Sequence, residues 1–172
     1  MSHAEPITVH LALSAAHGVA TQLLEEEGRV PLFALFHRGE RAQPLVAVLR
    51  WPASDEATAL AALRDDAPAI ARGHDATAVT LGGAGMLARG ADSREAQAIW
   101  QGLRAGTLDD LSDVPGARPV LLLEHHTPSS LTRAAFPLYG SGLGAQQLFA
   151  QTFEAAAAEP FAGIRFFGDP RA

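Results

Sequence analysis

The chain contains no cysteine, no lysine and no asparagine among its 172 residues. Without cysteine there is no thiol nucleophile, no thiolate ligand for zinc or an iron–sulfur cluster, and no disulfide. Without lysine there is no Schiff base, no pyridoxal-phosphate anchor and no phosphate-loop lysine. Every one of the 13 basic side chains is therefore arginine. Without asparagine the third member of a papain-like triad is missing. Basic clustering is also lacking. The arginines are scattered and the net charge is -6, so nucleic acid is not an expected partner. The longest apolar stretches, such as Pro31–Phe36 and Val120–Leu123, are far too short to span a bilayer, and no membrane association is expected. The opening MSHAEPITVHLAL has no basic segment ahead of an apolar one, which makes the cytoplasm the expected location.

What is present is a globular balance: 48% hydrophobic and 19% charged residues. No repeat, linker or compositional break divides the chain. It reads as a single α+β domain over residues 1–172, with short flexible ends at 1–5 and 168–172. Ile7–Leu13 has strand character. Ser14 then caps a helix to Glu27, with Ala16, Val19, Ala20, Leu23 and Leu24 on its core face and Gly28 as its left-handed stop. Leu32–His37 and Leu45–Trp51 form a hairpin around RGERAQ. A second helix opens at Ser54, buries Leu60, Leu63, Ala67 and Ile70, and should kink or split at Pro68, near Arg64. Thr77–Leu81 is a strand that runs on through glycines towards Ala88. A third helix follows from Asp92, with Ala96, Ile99, Trp100 and Leu103 on one face. Val120–His126 and Leu131–Tyr139 make a second hairpin about TPSS, Gly144–Glu159 a fourth helix, and Ile164–Phe167 a short last strand. The order β-α-β-β-α-β-α-β-β-α, with two hairpins, predicts a mixed, mainly antiparallel sheet with helices packed on it.

Three places carry candidate chemistry. Glu124-His125-His126 ends an apolar strand. Side chains alternate along a strand, so Glu124 and His126 share one face and His125 takes the other. A carboxylate and an imidazole on one face suit a divalent metal or an acid–base pair, and His37, at the end of another strand, is the expected third member. Gly140, Ser141, Gly142 and Gly144 form a glycine-rich loop ahead of the fourth helix, where backbone N–H groups could hold an anion. Gly83, Gly85, Ala88 and Asp109 fit a loose dinucleotide fingerprint, but the helix starts too late and hairpins flank the unit. Turn or bulge glycines are the better reading. His10 and His17 are seven residues apart and fall on the first strand and first helix, with His10 as a core histidine.

The reading that results is a non-catalytic binding or interaction module, expected to be a homodimer, with no cofactor required. Paired chains would bury apolar surface that includes Trp51, Phe161, Phe166 and Phe167. Two alternatives remain open: a small metal-assisted hydrolase using Glu124, His126 and His37, and a binder of a small anionic ligand at Gly140–Gly144.

Overall fold

The computed structural model describes residues 9–38, 45–89, 118–139, 142–143, 154–156 and 163–168, with residues 94, 98, 99, 101, 102, 105 and 161. Helix α1 spans Val9–Glu27, followed by strands β1 (Leu32–Arg38) and β2 (Leu45–Trp51). A single 3-10 turn at Ala53–Asp55 leads into helix α2 (Glu56–Gly73). Strands β3 (Ala78–Arg89), β4 (Arg118–His126), β5 (Leu131–Tyr139), β6 (Gly142–Leu143) and β7 (Glu154–Ala156) follow. The strands lie in the order β2-β1-β3-β4-β5-β6, with β7 pairing β3, and every pairing among the described residues is antiparallel. The α+β expectation holds, as do both hairpins. Their strands were legible because apolar runs flank short polar loops.

Strand alternation sorts the core into two layers. On one face Phe33, Leu35, Leu121, Leu123, Ala134 and Phe136 meet Leu13, Ala16, Ala20 and Leu23 of α1. On the other, Leu32, Ala34, Phe36, Val79, Leu81, Val120, Leu122 and Ala135 meet Ala59, Leu63, Ala67 and Ala71 of α2. Phe161, Ile164 and Phe166 complete this second layer. The sheet is thus covered on both sides, which is why β1 and β4 read as unbroken apolar runs. The Glu56 carboxylate ties the layers together at one corner, accepting from the Leu32 N–H at 2.9 Å and from Arg29 Nη1 at 3.1 Å.

Several expectations are corrected. Val9–Leu13 is helix, not strand: Ala12 and Leu13 extend the buried stripe of Ala16, Ala20 and Leu23, and packing on the sheet outweighs local β preference. Ser14 is therefore inside α1 rather than capping it, and His10 and His17 lie on one continuous helix, His10 exposed. Gly28 does close α1 at φ 72°, its N–H bonding Leu24 O at 2.9 Å. Pro68 does not split α2, which runs unbroken past it. Pro68 is exposed, while Leu63, Ala67 and Ala71 hold both sides of it against the sheet. Asp55 stands at the N-cap of α2 without a side-chain cap bond. Of the expected fourth helix, the described residues Glu154–Ala156 are strand β7. Ile164–Phe167 is irregular rather than a strand: it pairs with no strand among the described residues, although Ile164 and Phe166 are buried and Arg165 between them is exposed, the alternation that suggested one. Of the expected third helix, Arg94, Ala98, Ile99, Gln101 and Gly102 are helical, as is Ala105 beyond it; the rest lies outside the described residues.

The glycines of β3 have a packing role. A Cβ on Gly82 would stand 2.3 Å from Phe33 Cζ, and one on Gly85 would stand 2.4 Å from Leu122 Cδ1. These positions admit a neighbouring side chain over the strand. They are neither a turn nor a phosphate loop, so the dinucleotide fingerprint has no strand–turn–helix context here.

Candidate functional site

Polar groups gather at one end of the sheet, where β1 and β4 finish and β3 begins. The register puts His37 opposite Ala78, and Thr80 opposite His125. Strand β3 lies between β1 and β4, so its Thr80 can reach both histidines. The Thr80 hydroxyl is 2.9 Å from His37 Nε2 and 2.8 Å from His125 Nδ1. The two rings meet edge to face with centroids 5.7 Å apart. All three residues lie on the α1 face, and all are fully buried.

Burial pushes both imidazoles down from 6.5 to about 4. His125 is lowered first by loss of water and then by the neighbouring His37 and His126. Both rings are therefore neutral near pH 7. Among the described residues, His37 Nδ1 and His125 Nε2 have no hydrogen-bond partner. Chemically this is an uncharged His–Thr–His chain, inside the protein, with one ring nitrogen spare at each end.

The opposite face carries a different set. Glu124 is buried and receives two hydrogen bonds. His126 Nε2 donates to Oε1 at 3.2 Å, and Arg133 Nε donates to Oε2 at 2.8 Å. A carboxylate oxygen only accepts, so His126 Nε2 is the donor in this contact. The His126 ring packs edge-on against Phe166 at 5.2 Å, and Phe166 against Phe36 at 6.1 Å. His74 stacks on Phe36 at 4.2 Å and its Nδ1 lies 3.4 Å from Arg38 Nη2.

The structure brings Glu124 and His126 together, as alternation predicts, and separates them from His37. The expected convergence of the three is corrected by parity: His37 follows Phe33 and Leu35 onto the α1 face, whereas Glu124 and His126 follow Leu122 onto the α2 face. Arg133 also neutralises the carboxylate a metal would need. Among the described residues no three of His, Asp and Glu gather as a metal-binding group. Of the Gly140–Gly144 segment, Gly142 and Leu143 form β6 and pair with Tyr139 and Leu138 of β5; Gly140, Ser141 and Gly144 lie outside the described residues. Thr80 and Arg133 were not singled out in the sequence. The available signal for Thr80 was a lone hydroxyl in the apolar run Ala78–Leu81, two residues short of a glycine.

The other feature of this scaffold is its open edge. Strand β2 pairs only with β1 among the described residues. Six of its seven residues, LVAVLRW, are apolar. Val48 is 50% exposed, and Arg50 is drawn back onto Glu27 of α1. No helix among the described residues is long and apolar enough to cross a membrane. Comparison with protein-family models, with curated proteins and with solved structures finds no match to this chain.

Proposed function

We propose that this protein is a non-catalytic interaction module that pairs with a second copy of itself through the open edge of its sheet at β2. The observation that carries this reading is the half-exposed Val48 on an apolar edge strand. Natural edge strands are usually blunted by charge, proline or a bulge, because unpaired N–H and C=O groups invite another strand. Here the single charge of the strand, Arg50, is engaged by Glu27 of the same chain.

Two-fold antiparallel pairing about Val48 sets Val48 opposite its counterpart, Val46 opposite Arg50, and Leu45 opposite Trp51. No like charges face one another in that register. The buried histidines at the sheet end serve as internal polar framework rather than as a reacting site, since none of His37, Thr80 and His125 is open to solvent.

Sedimentation velocity at micromolar concentration should give a dimer. Val48→Lys should dissociate it, because two like charges would then stand directly opposite, with affinity falling at least about tenfold. Val48→Glu should do the same, and mixing the two variants should restore a heterodimer. A wild-type chain that sediments as a monomer, or a Val48→Lys variant with unchanged mass, would overturn the proposal. Circular dichroism checks that both variants keep the fold.

A further inference from the structure

A cleft of about 230 Å3 opens between α1 and β5, lined by His10, Leu13, Ser14, His17 and Phe136. Spacings of four and three residues put His10, Ser14 and His17 along one stripe of α1. This polar stripe forms one wall. Leu13 and Phe136, both nearly buried, supply an apolar floor. The His17 ring lies 4.8 Å from the Phe136 ring, tilted by 58°, so two aromatic rings bound the space at an angle. His10 and Ser14 are exposed, which leaves the cleft reachable from water.

We infer that this cleft binds a small aromatic carboxylate, whose ring lies against Phe136 and Leu13 and whose carboxylate takes donors from His10, Ser14 and His17. Imidazole carries an N–H in either protonation state, and the serine hydroxyl adds an O–H. No carboxylate stands among the described lining residues, although the chain as a whole has a net charge of -6. Among the described lining residues an anion meets donors and no carboxylate. The volume equals roughly eight waters, enough for one ring and its acid group. It falls below the ~300 Å3 at which sites for larger ligands begin. The tilted rings of His17 and Phe136 favour an aromatic guest, which they can meet edge and face. The cleft lies against β5, on the far side of the sheet order from β2, so it is independent of pairing through that edge.

The test is a titration of the 15N-labelled chain with benzoate, and separately with benzamide, followed by NMR. Benzoate should produce saturable shifts at Leu13, Ser14 and His17 and bind about tenfold more tightly than benzamide, the size expected for charge-assisted hydrogen bonds. The double variant His10→Leu, His17→Phe, which removes both imidazole N–H groups and keeps a ring against Phe136, should lose about tenfold in benzoate affinity with an unchanged circular-dichroism spectrum. The inference is overturned by any of three results: no saturable shift up to about 10 mM benzoate, equal binding of benzamide, or full affinity in the double variant.

Discussion

The Thr80 hydroxyl has one proton and two imidazoles to serve, at 2.9 Å and 2.8 Å. With both rings neutral, it donates to one nitrogen and accepts from the other. If it donates to His125 Nδ1, then His125 carries its proton on Nε2 and so does His37. If it donates to His37 Nε2, both rings carry theirs on Nδ1. The two tautomers are locked together, and long-range 15N–1H correlation at pH 7 should find the same tautomer at both residues. Thr80→Val keeps the shape but removes both bonds in a dry site. It should lower unfolding free energy by about 1–3 kcal/mol in urea titrations, whereas Thr80→Ser retains most of the stability. Protonation follows from the same burial. Both rings titrate near 4 in the folded chain and near 6.5 when unfolded. Their neutral burial therefore carries no penalty above pH 6.5. As pH falls from 6.5 to 4 the unfolded chain takes up protons first and stability is lost. Below about 4 this contribution levels off. Each ring accounts for roughly 3 kcal/mol across that window. A urea midpoint that declines steadily from pH 6.5 to 4.5, and declines less in His37→Gln, is the expected result.

Elements here were decided by packing wherever local preference and tertiary context disagreed. Ile7–Leu13 has strand-like composition, yet Val9–Leu13 joins α1 because Ala12 and Leu13 prolong a stripe that fits the sheet. Pro68 argues for a break, yet α2 continues with Leu63, Ala67 and Ala71 in the core. An interior proline still forfeits a backbone bond, so Pro68→Ala should raise the melting temperature of an otherwise unchanged protein. The β1–β2 and β4–β5 hairpins were legible because polar turns punctuate apolar runs. The Glu124–His126 pair was legible too, from alternation within one strand. The His37–Thr80–His125 chain was not, because it needs β3 to be seated between β1 and β4, and no spacing in the sequence states that order. The β3 glycines show the same dependence on neighbours. Gly82→Ala drives a methyl into the buried Phe33 ring, while Gly85→Ala meets the end of the more adaptable Leu122 side chain. Overpacking costs about 1–3 kcal/mol. Gly82→Ala should fall near the top of that range and Gly85→Ala near the bottom, as read by chemical denaturation.

At the scale of the molecule, a sheet covered on both faces still has an open edge at β2, the surface through which the proposed pairing would act. The proposed pairing through β2 would require the native strand, and would therefore stabilise the folded state by mass action. The apparent melting temperature should therefore rise with protein concentration in the wild type and become independent of it in Val48→Lys. Covering both faces has a second effect. The apolar stretch of β4, Val120–Leu123, is buried on both sides, and a strand apolar on both faces hardly distinguishes one pairing register from its neighbour. The three polar residues that close it do. A shift by one position would carry Glu124 away from Arg133 into the α1 layer and lift His125 off Thr80. Misaligned pairings are thereby penalised at the strand's end, and Glu124, His125 and His126 act as a proofreading mark that tells β4 where to stop.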